Sequence, residues 1–323
     1  MDIHDILAPV RDEMNEVEKH LEDQHHSEQD FTSGLLKYAS RFTGKRLRPA
    51  LVLLSGKACG QTSPQHIDIA TVAELLHTAT LIHDDVIDGA DMRRSLATIN
   101  AKWGTAISIL VGDLLLSKCF GILARLDSQT ASAQFAKTAN IMCEGELLQL
   151  HRRYDMALDE ADYLKIIEQK TAVLCATCCR LGAIFAGAKR QVADALADYG
   201  LKLGIAFQIV DDCLDIVGQE KEMGKSLYTD MEKGKLTLPL IRLVHEVPAN
   251  GREGLRRLLF PQNSSCDREA VVAELSRHDA VEYAYEKARE YVESAREQLA
   301  CIPASASKDS LHALAGYVIR RRR

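Results

Sequence analysis

The chain is 323 residues long, 46% hydrophobic and 27% charged, with a formal net charge of −6. That length supports a large core in one or two domains, and the acidic balance excludes a nucleic-acid surface, which carries a basic surplus. Only 5% of residues are aromatic, with one tryptophan, so a stacking platform for bases is excluded as well.

The first residues, Met1-Asp2-Ile3-His4-Asp5, lack the basic and apolar regions of a secretory signal. Beyond them proline and glycine are sparse, and apolar residues recur at three- and four-residue intervals. Ile67, Ile69, Val72, Leu75, Leu76 and Leu81 form one such run; Tyr283, Ala284, Ala288, Tyr291, Val292, Ala295 and Leu299 form another. No segment alternates as a strand would, so the expectation is an all-α protein of about ten to fifteen helices. Breaks are expected at Gly44, around Cys59-Gly60-Gln61-Thr62-Ser63-Pro64, and in 88–95, 218–234 and 247–267. The last is the best linker candidate, with Pro248, Gly251, Pro261 and Asn263, but it lies too late to separate two domains, and 1–323 reads as one. Nine cysteines without an export signal predict reduced thiols and a cytoplasmic location. Cys175, Cys178 and Cys179 fit one helix face, yet no second Cys/His pair stands at zinc spacing, and they read as small core residues. No uncharged run approaches the ~20 residues of a bilayer span. The most apolar stretch, 172–188, is broken by Arg180, so the protein is not expected to be integral to a membrane.

Two copies of Asp-Asp-x-x-Asp carry the chemistry. The first is Asp84, Asp85 and Asp88; the second is Asp211, Asp212 and Asp215. Each interrupts an apolar stretch, where packed like charges are costly unless cations neutralise them. Oxygen-only ligands suit a hard ion such as Mg²⁺, which takes a few carboxylates plus substrate phosphates. At 100° per residue Asp84 and Asp88 share a face, Asp85 lies to one side, and His77 and Thr80 extend the polar line. A calcium loop is excluded, because position 12 counted from Asp84 is Ser95 and not Glu. One aspartate cluster alone is often a solvated turn or cap; two with apolar flanks are not. Two boxes facing each other would clamp a diphosphate.

Cations accompany the boxes. Arg93 and Arg94 follow the first at a helix end, and guanidinium forks bind phosphate oxygens bidentately. Gly44-Lys45-Arg46-Leu47-Arg48-Pro49 opens a helix with three cations, Lys45 and Arg48 on one face. Lys170-Thr171 follows a tyrosine-containing helix, Phe207-Gln208 precedes the second box, and Lys225 and Lys235 follow it in a glycine-containing segment. Such lysines form either an exposed loop that balances charge or a mobile cationic loop that closes on phosphates.

These motifs, in this order, resemble the trans-prenyl diphosphate synthases, the all-α enzymes that build linear isoprenoid diphosphates. The resemblance runs from Gly44-Lys45-Arg46-Leu47-Arg48-Pro49 to Gly316-Tyr317-Val318-Ile319-Arg320. It includes Gly112-Asp113, Glu144-Gly145-Glu146 with Gln149, Gly224-Lys225, and Lys235 before Thr237-Leu238-Pro239. One departure is Ser95, where the family usually has glycine.

The resemblance implies a single-domain helical bundle around a central cavity, the isoprenoid synthase fold, and a homodimer. It implies three Mg²⁺ ions, with Asp84, Asp88 and Asp211 as ligands and Asp85, Asp212 and Asp215 in support. Arg93, Lys170, Gln208, Lys225 and Lys235 would cage the diphosphate of an allylic substrate, and Lys45, Arg48, His77 and Arg94 would hold isopentenyl diphosphate. Ionisation of the allylic diphosphate would give a carbocation faced by the Thr171 hydroxyl and the Gln208 carbonyl. The released diphosphate would remove the final proton.

Product length follows in this family from bulk four and five residues before the first Asp. Those residues are Thr80 and Ala79, both small, which predicts six to nine isoprene units, as in quinone tails. Leu76, one turn lower, or Phe120 on the next helix would cap the tunnel. A terpene cyclase is disfavoured by the symmetric second box and the few aromatics. A non-catalytic partner subunit is disfavoured because every box and basic residue is intact, and a shorter-chain synthase remains the alternative within the reaction class.

Overall fold

The computed structural model describes residues 2–42, 44–217, 229–261 and 267–321. In chain order the helices are α1 (Ile3–Ile6), α2 (Arg11–Gln24), α3 (Asp30–Ala39), α4 (Leu47–Cys59), α5 (Pro64–Ile87), α6 (Ile99–Trp103), α7 (Thr105–Leu126), α8 (Gln129–His151) and α9 (Glu160–Ile167). A π-helical stretch, Glu168–Ala172, runs directly into α10 (Val173–Phe185). There follow α11 (Arg190–Val217), α12 (Thr229–Glu232), α13 (Leu238–Glu246), α14 (Arg252–Leu259), α15 (Arg268–Arg277), α16 (Ala280–Gln298) and α17 (Ala306–Arg320). The all-α expectation holds, and the chain forms two compact units: 1–139 with 174–200 and 296–314, and 140–173 with 201–295 and 315–323.

The first unit is organised by α5. Ser63 and His66 form a capping box at its start and Pro64 supplies the first-turn residue. Ile69, Ala70, Val72, Ala73, Leu75, Leu76 and Ala79 are all buried, so apolar residues surround the axis and the helix sits inside the unit. α7 packs along it, with α4 and α2 on other sides. α7 is itself long and apolar enough, by length and composition, to cross a membrane. Its inner residues Val111, Leu115, Cys119 and Ile122 are buried core, and Asp113, Lys118 and Arg125 interrupt it. In the second unit α9 packs on α13, and α13 and α14 both pack on α15.

Three local expectations change. A two-stranded antiparallel hairpin, Met92–Arg93 with Leu96–Ala97, follows the first box where no strand was expected. Two-residue strands are too short to show alternation; the turn itself is the signal. The proposed linker 247–267 contains α14, because Leu255 and Leu259, four apart, are buried side by side on one face. Finally, Lys170 and Thr171 lie on the π-helical stretch and not beyond a helix end.

His25 caps the C-terminal end of α2 and is buried. Burial first, then the charges of Arg46 and Lys118, push its pKa from the ordinary 6.5 to about 4, against the pull of Glu18. The native chain therefore leaves this imidazole neutral where the unfolded chain protonates it. Stability should fall as pH drops from about 6.5 toward 4. Urea midpoints measured across that window should flatten in His25→Gln relative to the parent chain.

Candidate functional site

Within the first unit the aspartate box lies on the last turn of α5. Asp84 and Asp88 are half-buried, while Asp85 is 2% exposed. Main-chain carbonyls at a helix C-terminus add negative potential to that of the carboxylates, so a cation is favoured there. Asp85 is matched by Arg93 of the hairpin, whose Nε lies 3.0 Å from both carboxylate oxygens and whose Nη2 lies 2.8 Å from Oδ1. The hairpin turn is Arg94-Ser95, at φ 49° and 62°. Two left-handed residues in a two-residue loop make a type I′ turn, which glycine adopts most easily. Ser95 therefore adopts this turn at some conformational cost. Thr98, fully buried, closes the base of the hairpin by donating to Ala90 O at 2.7 Å. His83, beside the box, lies 3.2 Å from Ile109 O on α7, with its ring against Gly112.

The basic segment of the same unit gathers around α5. The Arg94 guanidinium packs on Gly44, where an added Cβ would meet it at 2.5 Å. Arg48 is half-buried, and its Nε is buried without a hydrogen-bond partner among the described residues. Burial first, then the charges of Arg48, Arg93, Arg94 and Arg46, hold the His77 imidazole well below its ordinary 6.5. His77 is thus neutral, and four guanidiniums are close enough to act on it. Arg93 and Arg46 in that group are answered by Asp85 and by Glu18 with Glu74, but the buried Arg48 Nε is an orphan donor that calls for an acceptor such as an anion. Ala79 is fully buried, Thr80 is half-buried with its hydroxyl donating to His77 O at 2.9 Å, and Leu76 is 5% exposed. Phe120 is 68% exposed on α7, which does not fit a residue capping an internal tunnel in this chain.

Within the second unit the other box occupies the final turns of α11, again at a helix C-terminus. Asp212 and Asp215 are 5% and 1% exposed, and Asp211 is half-buried. Tyr163, a residue with no sequence signature of its own, donates to Asp212 Oδ2 at 2.6 Å, and Gln208 Nε2 donates to Oδ1 at 2.8 Å. Thr171 in turn donates to the Gln208 carbonyl at 3.0 Å, so Gln208 is oriented from both ends. Burial, then the nearby charge of Asp230, pushes Asp212 up to about 8, which these hydrogen bonds oppose. The backbone N–H of Asp230 lies 3.3 Å from Asp215 Oδ2, and Lys235, 8% exposed, is 3.9 Å from Asp230 Oδ1. Arg321 stacks on Phe207 at 3.9 Å and approaches Asp211 Oδ1 at 3.5 Å. Lys225 lies outside the described residues.

The Glu144-Gly145-Glu146 motif acquires a purpose here. Glu146 pairs with the Lys170 ammonium, and Gln149, three residues on, accepts from it at 3.0 Å. Gly145 lets the π-helical stretch press against α8; a Cβ would stand 2.7 Å from Gln169 Cβ and 2.8 Å from the Lys170 nitrogen.

Both boxes fit magnesium, since they offer hard oxygen donors and crowd like charges that a cation would relieve. Among the described residues no three His, Cys, Asp or Glu side chains form a ready-made cluster. Water and substrate oxygens would therefore complete the shell, as this ion prefers.

A model of the family described as polyprenyl synthetase matches residues 29–275. The chain is 34% identical over 321 residues to the octaprenyl diphosphate synthase of Haemophilus influenzae, covering 99% of this chain and 98% of that protein. It is 34% identical over 285 residues to the geranylgeranyl diphosphate synthase of Methanosarcina mazei, covering 86% of each. The structure of a polyprenyl synthase from Caulobacter crescentus, complexed with calcium and isoprenyl diphosphate, matches with a TM-score of 0.95 at 32% identity, over 100% of this chain and 98% of that one.

The tight passage at Gly145 can be tested directly. Gly145→Ala should cost about 1–3 kcal/mol of stability by chemical denaturation, because the obstacle is backbone and cannot swing aside.

Proposed function

Because the chain belongs to the polyprenyl synthetase family, we propose that it condenses isopentenyl diphosphate with an allylic diphosphate, farnesyl or geranylgeranyl, in successive trans additions. The observation that carries this reading lies in the first unit. A carboxylate box at the end of α5 and an arginine-rich field around neutral His77 stand on one helix. A cation-binding end beside an anion-binding face is what a metal-bound diphosphate chemistry requires.

In this reading Lys45, Arg48, His77 and Arg94 hold isopentenyl diphosphate. Arg93 in the first unit, and Lys170, Gln208, Lys225 and Lys235 in the second, are assigned to the allylic diphosphate. Asp84 and Asp88 in the first unit and Asp211 in the second would hold Mg²⁺, three ions in all, whose chemistry would be to neutralise charge on the leaving diphosphate. Asp85, fixed by Arg93, and Asp212 and Asp215, fixed by Tyr163, Gln208 and the Asp230 N–H, support the ligands. Thr171 and Gln208 present oxygen dipoles to the allylic cation without attacking it; the Gln208 carbonyl is already engaged by Thr171, which lowers its nucleophilicity. No side-chain base is assigned, and the departing diphosphate takes the proton. Exclusion of water protects the cation.

The protein acts as a cytoplasmic homodimer with peripheral membrane contact. Support for a second copy comes from α7, whose outer face carries Leu110 and Phe120 at 65% and 68% exposure, with Ile109 at 41%. For chain length, the small pair Ala79 and Thr80 supports products of six to nine isoprene units. One observation favours a shorter product: Leu76 is 5% exposed, and every α5 residue from Ile69 to Leu76 is at least as buried, so solvent reaches only to His77 and Thr80.

Incubation with Mg²⁺, farnesyl diphosphate and labelled isopentenyl diphosphate, followed by sizing of the dephosphorylated products, tests both readings. Products of thirty or more carbons are expected; an end at twenty would place the floor at Leu76. No incorporation would sink the enzymatic reading and favour a partner subunit. Asp84→Ala should fold normally and lose at least ~100-fold in turnover. Ala79→Phe should shorten the product while leaving the first condensation in place.

A further inference from the structure

Arg46 stands between Lys45 and Arg48 in the chain, and its side chain is committed to two glutamates. Its backbone is left-handed, φ 51° and ψ 40°, at the position that caps α4. A non-glycine residue holds that conformation only when its surroundings over-determine it. Here they do. Arg46 Nε and Nη2 form a fork on Glu18 of α2, at 2.7 and 3.0 Å. Its Nη1 donates at 2.9 Å to Glu74 of α5, a carboxylate that is 4% exposed. Glu74 is one turn before His77 on the same helix.

We propose that Arg46 is a positioning residue: anchored on Glu18 and Glu74, it fixes the strained start of α4 so that Lys45 and Arg48 are presented to isopentenyl diphosphate in register with His77. The inference rests on the assignment of Lys45, Arg48 and His77 to that substrate. Geometry explains why arginine is needed. Only a planar fork can engage Glu18 through two nitrogens while a third reaches Glu74. The link to Glu74 ties the loop to the turn of α5 that carries His77, and Arg94 packed on Gly44 fixes the other end of the segment. With the clamp removed, the left-handed residue has nothing to hold it, and Lys45 and Arg48 lose their common orientation. Binding of the homoallylic substrate then weakens, while ionisation of the allylic diphosphate is untouched.

Steady-state kinetics of the full chain with Mg²⁺ and both substrates test this. Arg46→Gln should raise KM for isopentenyl diphosphate about tenfold, with kcat and the allylic KM changed less than about threefold. Glu18→Gln, at an anchor whose side chain is 43% exposed, should act in the same direction without endangering the fold. The double variant should be no worse than Arg46→Gln alone, since Arg46→Gln already removes the contact that Glu18→Gln removes. Lys45→Ala serves as the reference. If it raises KM for isopentenyl diphosphate while Arg46→Gln and Glu18→Gln lower only the melting temperature, the clamp is structural and the proposal falls. If Lys45→Ala also leaves that KM unchanged, the fault lies in the substrate assignment, and the clamp falls with it.

Discussion

Carboxylates placed among apolar helices must be neutralised, and this requirement shapes both units. Asp85 is held by Arg93, Glu74 by Arg46, Glu146 by Lys170, and Asp212 by the Tyr163 hydroxyl and the Gln208 amide. Leaving any one of these groups buried without its partner would cost several kcal/mol. Such pairs are weak evidence for added stability, but they strongly restrict geometry. Each fixes a loop or turn to a particular residue of a buried helix. The hairpin is tied to α5 and the start of α4 is tied to α2 and α5. The π-helical stretch is tied to α8. Lys45, Arg48, Arg93, Arg94 and Lys170, which are proposed to bind phosphate, sit on those same tethered segments.

The charges divide into two kinds. Asp85, Glu74 and Asp212 are almost fully enclosed and are matched from within the protein. Asp84, Asp88 and Asp211 are half-buried, at helix ends where the carbonyl dipoles favour a cation. Enclosure suits scaffolding, because it keeps the partner fixed. Partial exposure suits the exchangeable ions proposed for these positions, because solvent can reach them. The same distinction separates Arg46, whose side chain is 11% exposed and committed to two glutamates, from Lys45 beside it, which is exposed.

Much of this was legible in the chain. Periodic apolar residues and the scarcity of proline and glycine gave the helices, and the two boxes with their trailing cations gave the chemistry. What escaped the sequence depended on contacts between distant residues. Tyr163 belongs to no motif, and only the packing of α9 brings it to Asp212, 49 positions away. Glu146 and Gln149 form a visible pattern, but nothing in the pattern says that they receive Lys170. The hairpin was missed because its strands are two residues long, and α14 because prolines and asparagine around it mask a short amphipathic run. Thr171 and Gln208 are expected to face a cation side by side, but nothing in their spacing says that the Thr171 hydroxyl donates to the Gln208 carbonyl.

The π-helical stretch has a further consequence. Removing any one of Glu168–Ala172 would restore an ordinary α-helix from α9 into α10, with its main-chain ladder intact. The chain therefore contains one residue more than that helix needs. The surplus widens one turn, and relative to the shorter helix it swings the residues after it by about 100° around the axis. Lys170 and Thr171 lie inside the widened turn, so their directions are set by it. Their identities alone would not suffice, and a variant that kept both but lost the extra residue would carry the right side chains on the wrong bearing.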